Sequence, residues 1–216
     1  MPRGFFVTFE GLDGSGKSTQ LRLLARALAA DGQAVTVTRQ PGGTELGDQI
    51  RALLLDSRTQ PVAPLTEMAL MFADRAQSIQ QILAPALHRG ETILCDRYTD
   101  STVAYQGGGR GLDREAILTL HRVLCGDLWP DLTFLLLPDL DVCLSRARRR
   151  NARQLAFGTD ENRFEAEQRS FYERVDRAYR EIALQAPDRV VKIAGDLPVE
   201  EVQRIIFRTF CERHKA

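Results

Sequence analysis

The sequence predicts an α/β fold, a mainly parallel sheet of five strands between layers of helices. Two observations carry it. Five short apolar runs recur along the chain, each followed by a helical pattern, and a glycine-rich turn joins the first run to the first helix. The 216 residues suffice for one substantial core. No Pro/Gly/Ser-rich linker, repeat or low-complexity tract divides them, so residues 1–216 are read as a single domain. The formal charge is zero, which leaves no general pull toward nucleic acid or an anionic membrane. No segment approaches the ~20 apolar residues of a membrane span, and the N-terminus lacks a long apolar stretch. Cys95, Cys125, Cys143 and Cys211 are scattered without a C-x-x-C pair. They read as reduced thiols of a cytoplasmic protein.

The apolar runs are FFVTFE (5–10), AVTVTR (34–39), ETILCD (91–96), LTFLLL (132–137) and RVVKIA (189–194). Their continuous apolar character suits strands covered on both faces. Residues 17–31 place Leu21, Leu24, Ala25 and Leu28 on one helical face and stop at Gly32. Further helical patterns run over 44–56, 65–88, 113–125, 139–150, 164–185 and 198–213, with Pro85 set to kink or end the third segment. Ligands of such sheets sit beyond the C-terminal ends of the strands. The chemistry is therefore expected near Glu10, Gln40, Asp96 and Pro138.

Gly11, Gly16, Lys17 and Ser18 satisfy G-x-x-x-x-G-K-[ST] between a strand and an amphipathic helix. An ordinary Gly/Ser turn is the plain alternative, but it does not require Lys and Ser at these places. In this context Gly11, Leu12, Asp13, Gly14, Ser15, Gly16, Lys17, Ser18 and Thr19 form a cradle for ATP. Backbone N–H groups and the helix N-terminus attract phosphate oxygens. Lys17 reaches the β- and γ-phosphates, and Ser18 ligates Mg²⁺. Asp13 is an anion inside an anion cradle, so it must face something other than the phosphates. Asp96 ends an apolar strand as a Walker-B carboxylate does, and Arg97 beside it suits a second phosphate. RARRRNAR (146–153) has five Arg in eight residues. It reads as the start of a mobile Arg-rich lid over 146–163 that stabilises a transferring phosphoryl group and excludes water. A solvated helix face or an RNA patch is the alternative.

At this point FEGLDGSGKST (9–19), TRQPGGTELG (38–47), TEMALMFADRAQ (66–77), DRYTDSTVAYQGGGRG (96–111) and ENRFE (161–165) together resemble the thymidylate kinase family, in its bacterial branch. The resemblance spans nearly the whole chain. It implies a P-loop NTPase three-layer fold, a homodimer, and transfer of the ATP γ-phosphoryl group to dTMP. It also implies that Arg75 reads the pyrimidine, donating to O4 of thymine and disfavouring the amine of cytosine. Family members stack the base on a Phe four residues before that Arg. Here Met71 holds that place and Phe72 follows it, both on Arg75's helix face, so either is a candidate. The resemblance puts Arg97 on the acceptor phosphate, Asp13 on the sugar, and Ser101, Thr102, Tyr105 and Gln106 around sugar and base. Arg39 and Arg51 fall near the acceptor phosphate, and residues 194–198 beside adenine. Gln40 departs from the usual Glu of this motif. Gly14 stands where one branch carries an Arg, so the guanidiniums are expected from the lid: Arg149, Arg153 and Arg163. Two other readings stay open, a different nucleotide or nucleoside kinase of this fold, and a non-catalytic P-loop switch. The switch has no need of Arg75, Arg97 and a lid Arg cluster together.

Overall fold

The computed structural model describes residues 3–59, 61–156 and 163–214. Every expected apolar run is a strand: β1 (Phe5–Glu10), β2 (Val35–Arg39), β3 (Thr92–Asp96), β4 (Leu132–Leu137) and β5 (Val190–Ala194). They form one sheet in the order β2-β3-β1-β4-β5, with all pairings parallel. Parallel neighbours need crossovers, and helices on both faces supply them. The central strands β3, β1 and β4 are buried along almost their whole length, because both faces are covered. β2 corrects the expectation that all five are covered. It pairs with β3 alone, and Val37 is half exposed.

The helices are α1 (Lys17–Ala30), α2 (Glu45–Leu55), α3 (Pro64–Ser78), α4 (Ala84–His88), α5 (Thr99–Thr102), α6 (Arg114–Cys125), α7 (Leu140–Ala156), α8 (Arg169–Gln185) and α9 (Val199–His214). Local chemistry sets several of their ends. The Thr44 hydroxyl accepts from the Gly47 N–H at the start of α2 (2.9 Å), and Asp113 caps α6 through the N–H groups of Glu115 and Ala116. Pro64 opens α3, where a missing N–H costs nothing. The single helix expected over 65–88 is a continuous path of three pieces. Between α3 and α4 lies a π-helical stretch, Ile79–Leu83, just ahead of Pro85. The wider π turn accommodates a ring that would strain α-helical spacing.

Strand alternation divides the core. Val7 and Phe9 face α1 and α9, packing with Leu21, Leu24, Leu28, Ile206 and Phe210. Phe6 faces the other way, into a core with Phe72, Tyr98, Val175 and Tyr179. Glu10, four residues after Phe6, shares that face. One element has no counterpart in the sequence reading: α5 runs into a π-helical segment, Val103–Gly109. Its glycines admit α8, since a Cβ at Gly109 would meet the Phe171 ring and one at Gly108 would meet Ala178. The Arg run is helical. α7 continues to Ala156, six residues past the expected end. All four cysteines are free. Among the described residues no helix is long and apolar enough to cross a membrane.

Candidate active site

The C-terminal edge of the sheet opens into a cavity of about 1110 Å³, lined by the turn after β1, the ends of β2 and β3, and α7. It is larger than a pocket for one small ligand usually is. Lys17 starts α1 and is buried, its Nζ donating to the carbonyls of Gly11 (3.0 Å) and Leu12 (2.8 Å). Burial first, and Arg97 second, pull its ammonium down to about 8, against the pull of Asp96, Asp13 and Glu10. The next residue, Ser18, donates its hydroxyl to the Asp96 carboxylate at 2.6 Å. Among the described residues no cluster of three or more His, Cys, Asp or Glu forms a metal cage. One carboxylate and one hydroxyl instead suit Mg²⁺, which keeps water and phosphate oxygens as its other ligands.

Arg97 has φ 72, a left-handed conformation uncommon for a non-glycine residue. Its guanidinium is held on several sides. Nη1 donates to Ser101 Oγ (3.0 Å) and Tyr179 Oη (3.2 Å), and Nη2 to Asp13 Oδ1 (3.1 Å) and Tyr105 Oη (3.2 Å). Beneath it the buried Glu10 accepts from the Tyr98 N–H (2.7 Å), Ser101 (2.6 Å) and Tyr179 (2.9 Å). Burial, with Asp100 adding to it, pushes the Glu10 carboxyl upward against the pull of Arg97 and its donors.

Asp13 faces these cations. It pairs with Arg97 and lies 3.7 Å from Arg150 Nη1. Burial opposes its charge, but Arg97, Lys17 and Arg150 hold the carboxyl well below its ordinary range. The acid in the phosphate loop is thus neutralised by the Arg of the strand-end Asp-Arg pair.

α7 presents its buried face, Cys143, Ala147 and Asn151, to this loop. Arg146 and Arg150 flank that face and line the cavity. Arg149, two residues after Ala147, points away from that buried face and is exposed. Arg153 is part of α7, but its side chain lies outside the described residues, as do residues 157–162 of the expected lid. Arg163 donates to Glu67 at 2.6 Å and to the Leu54 carbonyl. Gly14, at φ 79, permits the close approach of α7, because a Cβ there would run into the Cys143 carbonyl.

At the opposite end, Arg75 is buried and lines the cavity. Nε donates to Gln40 Oε1 (2.8 Å), and Nη2 to Thr102 Oγ1 (3.0 Å) and the Tyr98 carbonyl (3.2 Å). Nη1 has no hydrogen-bond partner among the described residues. Gln40 therefore serves Arg75 as a neutral acceptor. Met71 lines the cavity, whereas Phe72 is fully buried under the Arg75 guanidinium, 4.9 Å from its ring centroid. Of the two stacking candidates only Met71 reaches the ligand space. Ser101, Thr102, Tyr105 and Gln106 line this end, as do Arg39 and Arg51. Arg39 is paired with Asp48 (3.1 Å), and Arg51 donates to the Pro41 carbonyl (3.0 Å). Gly195, Leu197, Val199 and Val202 line the far end beyond the phosphate loop.

Sequence reasoning missed Tyr179, Arg146, Arg150 and the role of Glu10. Tyr179 carried no signal, being far along the chain from its partners. The α7 arginines had one, since extending the helical wheel from Cys143 and Ala147 selects 146 and 150 over 149.

A family model described as thymidylate kinase matches residues 9–206. Thymidylate kinase from Pelobacter propionicus is 45% identical over 203 residues, covering 94% of this chain and 92% of the relative. That from Solidesulfovibrio magneticus is 50% identical over 190 residues, covering 87% and 90%. The crystal structure of thymidylate kinase from Ehrlichia chaffeensis is 31% identical, with a TM-score of 0.77, covering 97% of this chain and 100% of that one. With a phosphate loop, a strand-end Asp-Arg pair and a buried Arg at one cavity, and these matches along nearly its whole length, the chain belongs to the thymidylate kinase family.

Proposed function

We propose that the ATP-dependent phosphorylation of dTMP to dTDP, the reaction of this family, proceeds here as a direct in-line transfer between two ligands in the one cavity. An oxygen of the dTMP phosphate bonds to the γ-phosphorus, the γ-phosphorus to β,γ-bridging-oxygen bond breaks, and ADP leaves. The attacking oxygen is already ionised, so no general base is needed, and among the described residues no histidine lines the cavity. Mg²⁺ held by Ser18 and Asp96 would neutralise phosphate charge. The protein's own part is positioning and electrostatic stabilisation. Residues 11–19 cradle ATP, and Lys17 turns from its carbonyls to the β- and γ-phosphates. Arg97 holds the acceptor phosphate, and Asp13 accepts from the sugar hydroxyl. Arg150 and Arg146 reach the transferring group. Tyr105 closes the sugar face, Met71 packs on the base, and Arg75 donates to its O4. Residues 194–198 flank adenine.

The observation that carries this reading is Arg97, fixed between Asp13 of the phosphate loop and the acceptor end. ADP release measured against dTMP, dUMP, dCMP, dGMP and thymidine tests it. Release should require an acceptor and be fastest with dTMP. Release without an acceptor marks a hydrolase or switch, and a preference for thymidine marks a nucleoside kinase. We also infer a homodimer built on α2 and α3, because Leu46, Leu53 and Leu65 are exposed there. A monomer in sedimentation at micromolar concentration would reject it. The free cysteines support a reducing, cytoplasmic setting.

Two expected results arise from this geometry. Arg150→Ala should lower kcat by about 10²-fold with a smaller effect on ATP binding, while Arg149→Ala should stay within about twofold of wild type. Steady-state kinetics of the two variants check the register of α7, and the reverse order would restore Arg149. Arg75→Gln should narrow the dTMP/dCMP ratio of kcat/KM by about tenfold, because an amide accepts as well as donates. An unmoved ratio would exclude Arg75 as the reader of O4.

A further inference from the structure

Glu67 is a fully buried carboxylate that the transfer mechanism does not use. It lies on α3, two turns before Arg75. Four donations reach it. Gln106 Nε2 bonds Oε1 at 2.8 Å, Arg110 bonds Oε1 through Nε and Oε2 through Nη2, both at 3.2 Å, and Arg163 Nη2 bonds Oε2 at 2.6 Å. Burial presses its pKa up, but Arg110, Gln106 and Arg163 outweigh that and hold it below the ordinary range. An ionised carboxylate has no proton to give. Whatever bonds to it must donate, so the Gln106 amide can approach only through its nitrogen. Glu67 lies behind the cavity wall, and Gln106 is part of that wall. The amide oxygen is the end left for a ligand, and no hydrogen bond ties it to the described residues.

We propose that Glu67 is the positioning residue of the acceptor-base pocket. It pins the Gln106 amide by its nitrogen, so that the pocket offers an accepting oxygen to a base that carries a ring N–H. This inference rests on the reading of dTMP as the acceptor at this end. Thymine N3 carries a hydrogen, whereas cytosine N3 is a bare acceptor. A pinned amide oxygen bonds the first and opposes the second, adding to the choice that Arg75 makes at the neighbouring exocyclic position. The same carboxylate ties the pocket to Arg163, at the C-terminal side of the Arg-rich segment, so base recognition and that segment share one anchor.

Glu67→Gln keeps the shape but supplies an N–H₂ group. The Gln106 amide can then turn over and present its own N–H₂ to the base. The dTMP/dCMP ratio of kcat/KM should fall about tenfold, with the KM for ATP unchanged. The exchange variant Glu67→Gln/Gln106→Glu keeps the cluster's net charge and puts an accept-only group at position 106. It should restore the ratio to within about threefold of wild type, which a merely structural role for Glu67 does not predict. An unchanged ratio in folded Glu67→Gln, or equal losses for both acceptors, overturns the proposal, as does an exchange variant that stays unselective. If thermal melting shows that Glu67→Gln does not fold, the exchange variant alone decides: wild-type selectivity supports the proposal and lost selectivity overturns it. A wild type with no dTMP turnover would reject the acceptor reading and this inference with it. Normal wild-type turnover with an unmoved ratio rejects the inference alone.

Discussion

Lys17→Met should abolish transfer, lowering kcat by at least about 10³-fold, and leave a folded protein. The lost cation stands where negative charge gathers on the β- and γ-phosphates, in a buried site where one donor alone is worth about 10²–10³. The fold should not suffer. Lys17 sits at about 8 rather than 10.5, so burial and the Arg97 charge, net of Asp96, Asp13 and Glu10, cost the charged form roughly 3 kcal/mol at ~1.4 kcal/mol per unit. Its two carbonyl hydrogen bonds return about 1 kcal/mol each. Met removes both contributions, and the melting temperature at pH 7 should hold or rise slightly. The sign also sets a pH effect. A cation whose folded pKa is depressed destabilises the fold below about 8, and that penalty fades as the pH rises from about 8 toward 10.5. Catalysis runs the opposite way, because it needs the charged form. The kcat/KM for ATP should fall as the pH rises through about 8. The profile of kcat should stay flatter, since bound phosphates favour the ammonium. A wild-type kcat/KM that stays level to about pH 9.5, or a Lys17→Met variant with more than a few per cent activity, would contradict this account.

The fold was legible because its signal is local. An apolar run of five or six residues is too short for a buried helix, and a strand covered on both faces is what remains; all five became parallel strands. The phosphate loop was legible for the same reason: its residues are contiguous and each has a chemical task. Errors arose where side-chain direction depends on distant packing. Val37 is exposed because β2 ends the sheet, which its own residues do not reveal. Phe72 and Met71 both share a helix side with Arg75, but only the packing of α3 decides that Phe72 enters the core and Met71 the cavity. Arg149 and Arg150 are neighbours on one helix, and only the packing of Cys143 and Ala147 against the loop decides that Arg150 is the one beside Asp13. Gly14, a departure from one branch of the family, is the residue that admits α7. Its meaning is steric: with no side chain at 14, the helix bearing Arg146 and Arg150 reaches the loop.

Arg97→Gln should lower kcat by about 10³-fold and raise the KM for dTMP, with the KM for ATP much less affected. Among the described residues Arg97 is the guanidinium bonded to Asp13, Ser101, Tyr105 and Tyr179 together, and it has the backbone conformation that puts it there. Gln is too short to span those partners and carries no charge for a phosphate dianion. The fold should survive, because Glu10 keeps its three donors from Tyr98, Ser101 and Tyr179. A second readout separates an electrostatic role from simple loss of shape. Among the neighbouring charges, Arg97 is the foremost in pulling Lys17 down and Asp13 down. Without it the Lys17 ammonium becomes easier to keep, so the alkaline limb of the residual kcat/KM for ATP should move to higher pH. Asp13→Asn acts in the reverse sense. It removes an anion that favours the ammonium, so its limb should move to lower pH, while its acceptor KM rises through loss of the sugar contact. Limbs that shift in opposite directions place Arg97, Asp13 and Lys17 in one coupled electrostatic unit. Limbs that stay at the wild-type pH in both variants would mean that Arg97 only shapes the pocket, and that the acid in the phosphate loop does not tune its lysine.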